Sequence, residues 1–208
     1  MIVALSRAPM RVDHPTTTAL LCGLLDPGAE QSWLEFDARF RPIVRGFAMK
    51  LGLSEADADD VTQETLARFV KYYRQGKYDR TRGRLSSWLI AIAQNCIADV
   101  RQRRAVRKEH RGESAIEGLS ETNALESVWA EESRRAILEH AMRELRETTR
   151  LDPRTIAAFE LLAFNQKAPA EIAAEMGLSV DSVYAAKNRC LTQLREILAR
   201  LNEVYEVA

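Results

Sequence analysis

Asp57-Ala-Asp-Asp-Val-Thr-Gln-Glu64, Tyr78-Asp-Arg-Thr-Arg-Gly-Arg84, Trp88-Leu-Ile-Ala-Ile-Ala-Gln-Asn95 and Asp99-Val-Arg-Gln-Arg-Arg104 follow one another in a single stretch whose periodicity decides the fold. Projection at about 100° per residue puts Asp57, Asp60 and Glu64 within an arc of about 60°, with Gln63 adjacent and Asp59 toward the other edge. Ala58, Val61, Leu66, Phe69 and Tyr73 lie broadly opposite. In the next apolar run Leu89, Ala93, Cys96 and Val100 form a core stripe, while Trp88, Ile92, Asn95 and Asp99 share another face. Both segments are therefore amphipathic helices.

Working outward, nearly every other segment has the same three- and four-residue apolar spacing, and no alternating β-branched run appears, so the chain reads as all-α. A short helix is expected near Thr18–Leu25, and another from Ala29 with Trp33, Phe36 and Phe40 on one side. Pro42 is expected to start or kink the turn that continues to Leu51. Ser54 caps a helix to about Gln75, with Gly76 as its stop, and Ser86 or Ser87 caps the helix from Trp88 past Arg104. Residues 112–120 have two glycines and no strong period, and read as a flexible linker between two helical domains. The expected division is an N-terminal extension at 1–28, a first domain at 29–111 and a second at 121–208. In the second, helices are expected over Glu121–Arg146, from the Asp152-Pro153 cap to about Asn165, over Pro169–Met176 and over Ser179–Asn202.

The formal net charge of zero over 208 residues conceals a segregation. Residues 26–64 carry nine acids and four bases, a balance of −5, and residues 71–111 carry twelve bases and three acids, a balance of +9. This disfavours a uniformly basic DNA-coating protein and fits separate acidic and basic contact surfaces. Clustered acids offer an arginine-rich partner several charge-assisted bonds, although a merely solvated face has the same pattern. Asn95 and Asp99 aligned with Trp88, after the basic loop that ends at Arg84 and before Arg101, Arg103 and Arg104, suit stacking and hydrogen bonding to exposed bases with arginines on phosphates. The competing assignment makes Trp88 buried core and the basic run a solvated helix end.

Ala170-Glu-Ile-Ala-Ala-Glu-Met-Gly-Leu-Ser-Val-Asp-Ser-Val-Tyr184 has a helix-turn-helix layout. Small Ala173 permits close approach, Gly177 supplies a left-handed turn, Ser179 caps, and Ile172, Met176, Leu178 and Val183 join the pair. The second helix would present Asp181, Ser182, Tyr184, Ala185 and Asn188 to DNA, with Arg189 and Arg195 on phosphates.

No apolar run approaches membrane-spanning length and no signal peptide is evident, so the expected location is cytoplasmic. Cys22, Cys96 and Cys190 are expected to be reduced packing thiols, with no metal site and no cofactor implied. His14, His110 and His140 have no visible catalytic partner and no phosphate loop appears, so an enzyme is not expected.

In the order of these parts the chain resembles the extracytoplasmic-function sigma factors, small initiation subunits of bacterial RNA polymerase, over about residues 30–200. Asp57–Glu64 looks like their polymerase-clamp-binding segment, Gly83–Arg104 like their promoter-melting segment, and 121–200, with Ala186-Lys-Asn-Arg189 and Leu194-Arg-Glu196, like their region 4. The resemblance implies that Asp57, Asp60, Gln63 and Glu64 dock on core polymerase. It also implies that Arg84, Trp88, Asn95, Asp99, Arg101, Arg103 and Arg104 engage a melted −10 element, and that Ser182, Tyr184, Ala185, Asn188, Arg189 and Arg195 read the −35 duplex. An anti-sigma factor is a further expected partner. Gln94 stands where the family often has arginine, and Tyr184 and Ala186 where lysine and arginine are frequent, so promoter sequence does not carry over. Thr62 and Thr65 replace aliphatics, making Thr62 a candidate phosphorylation site for a Ser/Thr kinase. The rival function is a polymerase-independent helix-turn-helix regulator whose first half dimerises or senses a ligand.

Overall fold

The computed structural model describes residues 16–26, 28–79, 81, 83–109 and 122–205. The linker 112–120, residues 1–15 with His14, and Arg80, Arg82 and His110 lie outside them. The described residues form eight helices and no strand: α1 Thr17–Leu24, α2 Glu30–Lys50, α3 Glu55–Arg74, α4 Leu85–Glu109, α5 Thr122–Thr148, α6 Pro153–Ala163, α7 Pro169–Met176 and α8 Val180–Tyr205. By packing, Thr16–Ala136 makes one compact unit and Ile137–Glu206 the other, so α5 gives its first part to one and its remainder to the other.

In the first unit α2, α3 and α4 pack around Phe36, Phe47, Phe69, Leu66 and Leu89, all fully buried. Phe36 stacks on Phe69 with centroids 4.9 Å apart. Sequence reading has Pro42 start or kink a turn, and in the structure it lies inside one continuous helix. Proline in a helix interior removes one backbone bond and clashes with the preceding turn, at a cost of about 3 kcal/mol. Burial of Phe36 and Phe40 before it and of Ile43, Val44 and Phe47 after it holds both halves to the same core and offsets that cost.

α1 belongs to this unit. Its Leu20, Leu21 and Leu24 are buried, and Gly23 lies so close to α2 that an added Cβ would fall 2.2 Å from Ser32 Oγ. Arg39 of α2, itself buried, donates to Thr17 Oγ1 at 3.4 Å and to Glu35 Oε1 at 3.2 Å. At the other end of α1, Arg74 of α3 donates to the Leu24 carbonyl at 2.7 Å. α3 is capped by Ser54 and ends at Gly76, whose φ is 69°. α4 starts at Leu85, ahead of the expected Trp88, because the Trp88 N–H already bonds the Arg84 carbonyl at 3.3 Å.

In the second unit α6, α7 and α8 enclose Ala158, Ile172, Ala173, Val183 and Ala186, with Met176 and Leu178 packed against them. Asp152 caps α6 by accepting from the Arg154 N–H at 2.7 Å. α7 ends at Gly177 in the left-handed region, φ 63° and ψ 40°, and Ser179 Oγ then accepts from the Ser182 N–H at 3.1 Å to start α8. The expected turn chemistry is present in full. The remainder of α5 joins through an Arg146–Glu160 ion pair at 2.7 Å and a Glu144–Arg200 pair. Among the described residues no helix is long and apolar enough to cross a membrane.

Candidate functional site

The acids of α3 face outward, but most are engaged. Ser54 Oγ donates to Asp57 Oδ2 at 2.6 Å, and Arg104, reaching back from the far end of α4, pairs with Asp57 and donates to Ser54 Oγ at 3.0 Å. Asp59 accepts from Arg45 Nε of α2 at 2.6 Å, and Glu55 sits 3.7 Å from the same guanidinium. Glu64 accepts from Arg68 Nε at 2.5 Å. Asp60 and Gln63 are exposed, and Asp60 makes no ion pair among the described residues. The expectation of a cluster of unpaired acids is thus corrected. Helical projection finds the face and has the Glu64–Arg68 pair within its reach at i,i+4, but it cannot see Arg45 and Arg104, which come from α2 and α4.

Arg68 is the residue that sequence reasoning missed. Both of its Nη atoms lie 3.3 Å from Asp99 Oδ2 of α4, so one guanidinium bridges Glu64, expected on the polymerase surface, and Asp99, expected on the base-facing surface. Its hydrogen bond to Glu64, ahead of an opposing desolvation, raises the guanidinium pKa above its ordinary value. The two helices flank a groove of about 1040 Å³ lined by Asp60, Glu64, Arg68, Asp99, Arg103 and Val106 among others. Asp99 therefore lies with the acids of α3, not with a separate face of α4. Its signal was the thirty-one-residue spacing to Arg68, invisible to local periodicity.

The remaining face of α4 divides. Asn95 and Gln94 are exposed, whereas Ile92, placed beside Asn95 by projection, is buried. Trp88 is half-buried, stacked on Tyr78 with centroids 5.0 Å apart and edge-on to Phe69 at 5.2 Å. Its ring is already a member of an aromatic cluster and has only part of its surface available for stacking on a base. Arg84 is exposed. Arg101 donates to the Leu51 carbonyl at 2.6 Å, at the C-terminal end of α2, and Arg103 Nε folds onto the Asp99 carbonyl at 3.1 Å. Of the expected phosphate-binding arginines, Arg101 and Arg104 are both drawn to the turn between α2 and α3.

Thr62 corrects a further expectation. Its side chain is fully buried and its hydroxyl donates to the Ala58 carbonyl at 2.6 Å, so a kinase has no access to it. Thr65 is equally buried. Burial raises the Cys96 thiol pKa above its ordinary value, against a smaller lowering by the Thr65 hydroxyl.

On α8, Asp181, Ala185, Asn188 and Arg189 are exposed. Ser182 is partly withdrawn, since its Oγ lies 2.8 Å from Ser179 Oγ in the cap. Tyr184 and Arg195 occupy an edge turned toward Leu191 and Leu198, where they line an apolar groove of about 600 Å³ with Leu138 and Phe164.

Residues 37–109 match the Sigma-70 region 2 family. Among curated proteins, the chain is 29% identical over 192 residues to the ECF RNA polymerase sigma factor SigE of Mycolicibacterium smegmatis, covering 90% of this chain and 70% of that one. It is 25% identical over 186 residues to the ECF RNA polymerase sigma factor RpoE of Cereibacter sphaeroides, covering 88% and 96%. Among solved structures, a chain from that of CnrH in complex with the cytosolic domain of CnrY matches at 24% identity and a TM-score of 0.34, over 86% of this chain and 95% of that one. A chain from the RsbN–BldN complex matches at 20% identity and a TM-score of 0.33, over 85% and 98%. The stretch matching sigma-70 region 2 lies in the first helical unit, and over most of its length the chain is similar to extracytoplasmic-function sigma factors of RNA polymerase.

Proposed function

We propose that this protein is a transcription initiation factor that binds core RNA polymerase, recognises −35 and −10 promoter elements and assists DNA opening, acting beside polymerase in the cytoplasm. The observation that carries the proposal is that the stretch matching sigma-70 region 2 holds the α3 acids outward on one side and Asn95 exposed on another. Asp57, Asp60, Gln63 and Glu64 dock on polymerase through charge-assisted bonds to basic side chains. Asn95, with the exposed part of Trp88 and the loop ending at Arg84, receives an extruded base of the −10 strand. Capturing that base offsets an unstacking cost on the order of a few kcal/mol without ATP. In the second unit, the exposed Asp181, Ala185, Asn188 and Arg189 of α8 support reading of a duplex through its major groove.

The test is transcription by core polymerase on fragmented chromosomal DNA of the source organism, with and without the protein, mapping transcript 5′ ends. The protein is expected to create a set of starts sharing two upstream elements. An unchanged set of starts contradicts the proposal.

A further inference from the structure

We infer that the basic end of α4 is held in an autoinhibitory clasp on the turn between α2 and α3, and that polymerase docking releases it for DNA. The inference rests on the proposed polymerase and DNA surfaces and adds a regulatory link between them. Arg104 is a phosphate contact expected from the sequence and Asp57 a proposed polymerase contact, yet each occupies the other in the free protein. Ser54 completes the clasp by donating to Asp57 at 2.6 Å and accepting from Arg104 at 3.0 Å. Arg101 is seated at the same turn through the Leu51 carbonyl at 2.6 Å. Within the pair Asp57 is 24% exposed, against 56% for the paired Asp59, while Arg104 is 45% exposed, so the acid is the more shielded partner and the arginine can be reached from solvent.

The consequence follows from linkage. A basic group of polymerase that takes Asp57 frees Arg104 for a phosphate, and a phosphate that takes Arg104 frees Asp57, so each event favours the other by the same factor. An ion pair of this exposure limits that factor to about fivefold. Asp60, on the same face and unpaired among the described residues, is the internal control, because neutralising it removes the same charge without opening a clasp.

The experiment measures binding of the full chain to a short mixed-sequence single-stranded DNA at fixed salt, for wild type, D57N, D60N, R104A, D57N/R104A and D60N/R104A. D57N is expected to tighten DNA binding about threefold more than D60N does, and this excess is expected to vanish when R104A is present. In a parallel titration of core polymerase, R104A is expected to tighten binding about threefold. Equal effects of D57N and D60N, an excess that survives R104A, or no DNA binding by any variant overturns the clasp. A triple reversal D57K/D60K/E64K that leaves core binding intact refutes the polymerase surface instead, and the DNA comparison still decides the clasp.

Discussion

Arg68, Arg101 and Arg104 define the first unit's surface more than any acid does, because each carries a cation to a group outside its own helix. The sequence separations are 31, 50 and 50 residues. No window of sequence short enough to show periodicity contains both partners of these three contacts, so the acidic face was legible, and of its pairing only the i,i+4 Glu64–Arg68 bond was. Contacts made within four residues were legible: the Ser54 cap, the Asp152 cap and the Ser179 cap all follow from side chains that satisfy helix N-termini locally. Thr62 shows how a local pattern misleads. Its hydroxyl faces the apolar side and is satisfied by its own helix, a common fate of threonine in a buried turn. The thiols give a residue-scale prediction. Burial raises the pKa of Cys96 and Cys190, so at a given pH less of each is thiolate, while Cys22 is exposed. Iodoacetamide at mildly alkaline pH should modify Cys22 first and the other two only on unfolding, read by peptide mass. Rapid labelling of Cys96 in the folded protein contradicts its burial.

At the scale of elements, helix existence was legible throughout because each helix buries one stripe, and the misplacements occur where tertiary packing overrides a local breaker. α2 is the clearest case. Pro42 ends a helix by propensity, yet aromatic burial on both sides keeps the element whole. Pro42 is exposed, so P42A should restore the backbone bond to Ala38 without creating a cavity. The expected gain is about 1–3 kcal/mol, reduced by the greater freedom of the unfolded chain, and urea unfolding measures it. A loss of stability would mean that the ring itself packs. α7 and α8 behave oppositely: Gly177 and the Ile172–Val183 contact were legible because turn and core lie within a dozen residues. The orientation of α8 was legible only in part. Tyr184 and Arg195 line a groove with Leu191 and Leu198 of their own helix and with Phe164 and Leu138, which come from elsewhere in the chain.

At the scale of the whole molecule, charge segregation and the order of motifs carried the functional assignment. The acidic and basic stretches of the first unit are tied to each other through Arg104 and Arg68, so neither surface is independent of its neighbour. A partner of either surface must compete with that pairing to bind. The account stands or falls on whether the α3 face binds core polymerase. The direct measurement is the affinity of fluorescently labelled protein for core RNA polymerase, for wild type and for D57K/D60K/E64K. The account predicts tight binding by wild type and a loss of at least about a hundredfold in the variant, with its helical circular dichroism retained; removal of several charge-assisted bonds supplies an effect of that order. Equal affinity of the two proteins for core, or no affinity of the wild type, would contradict it.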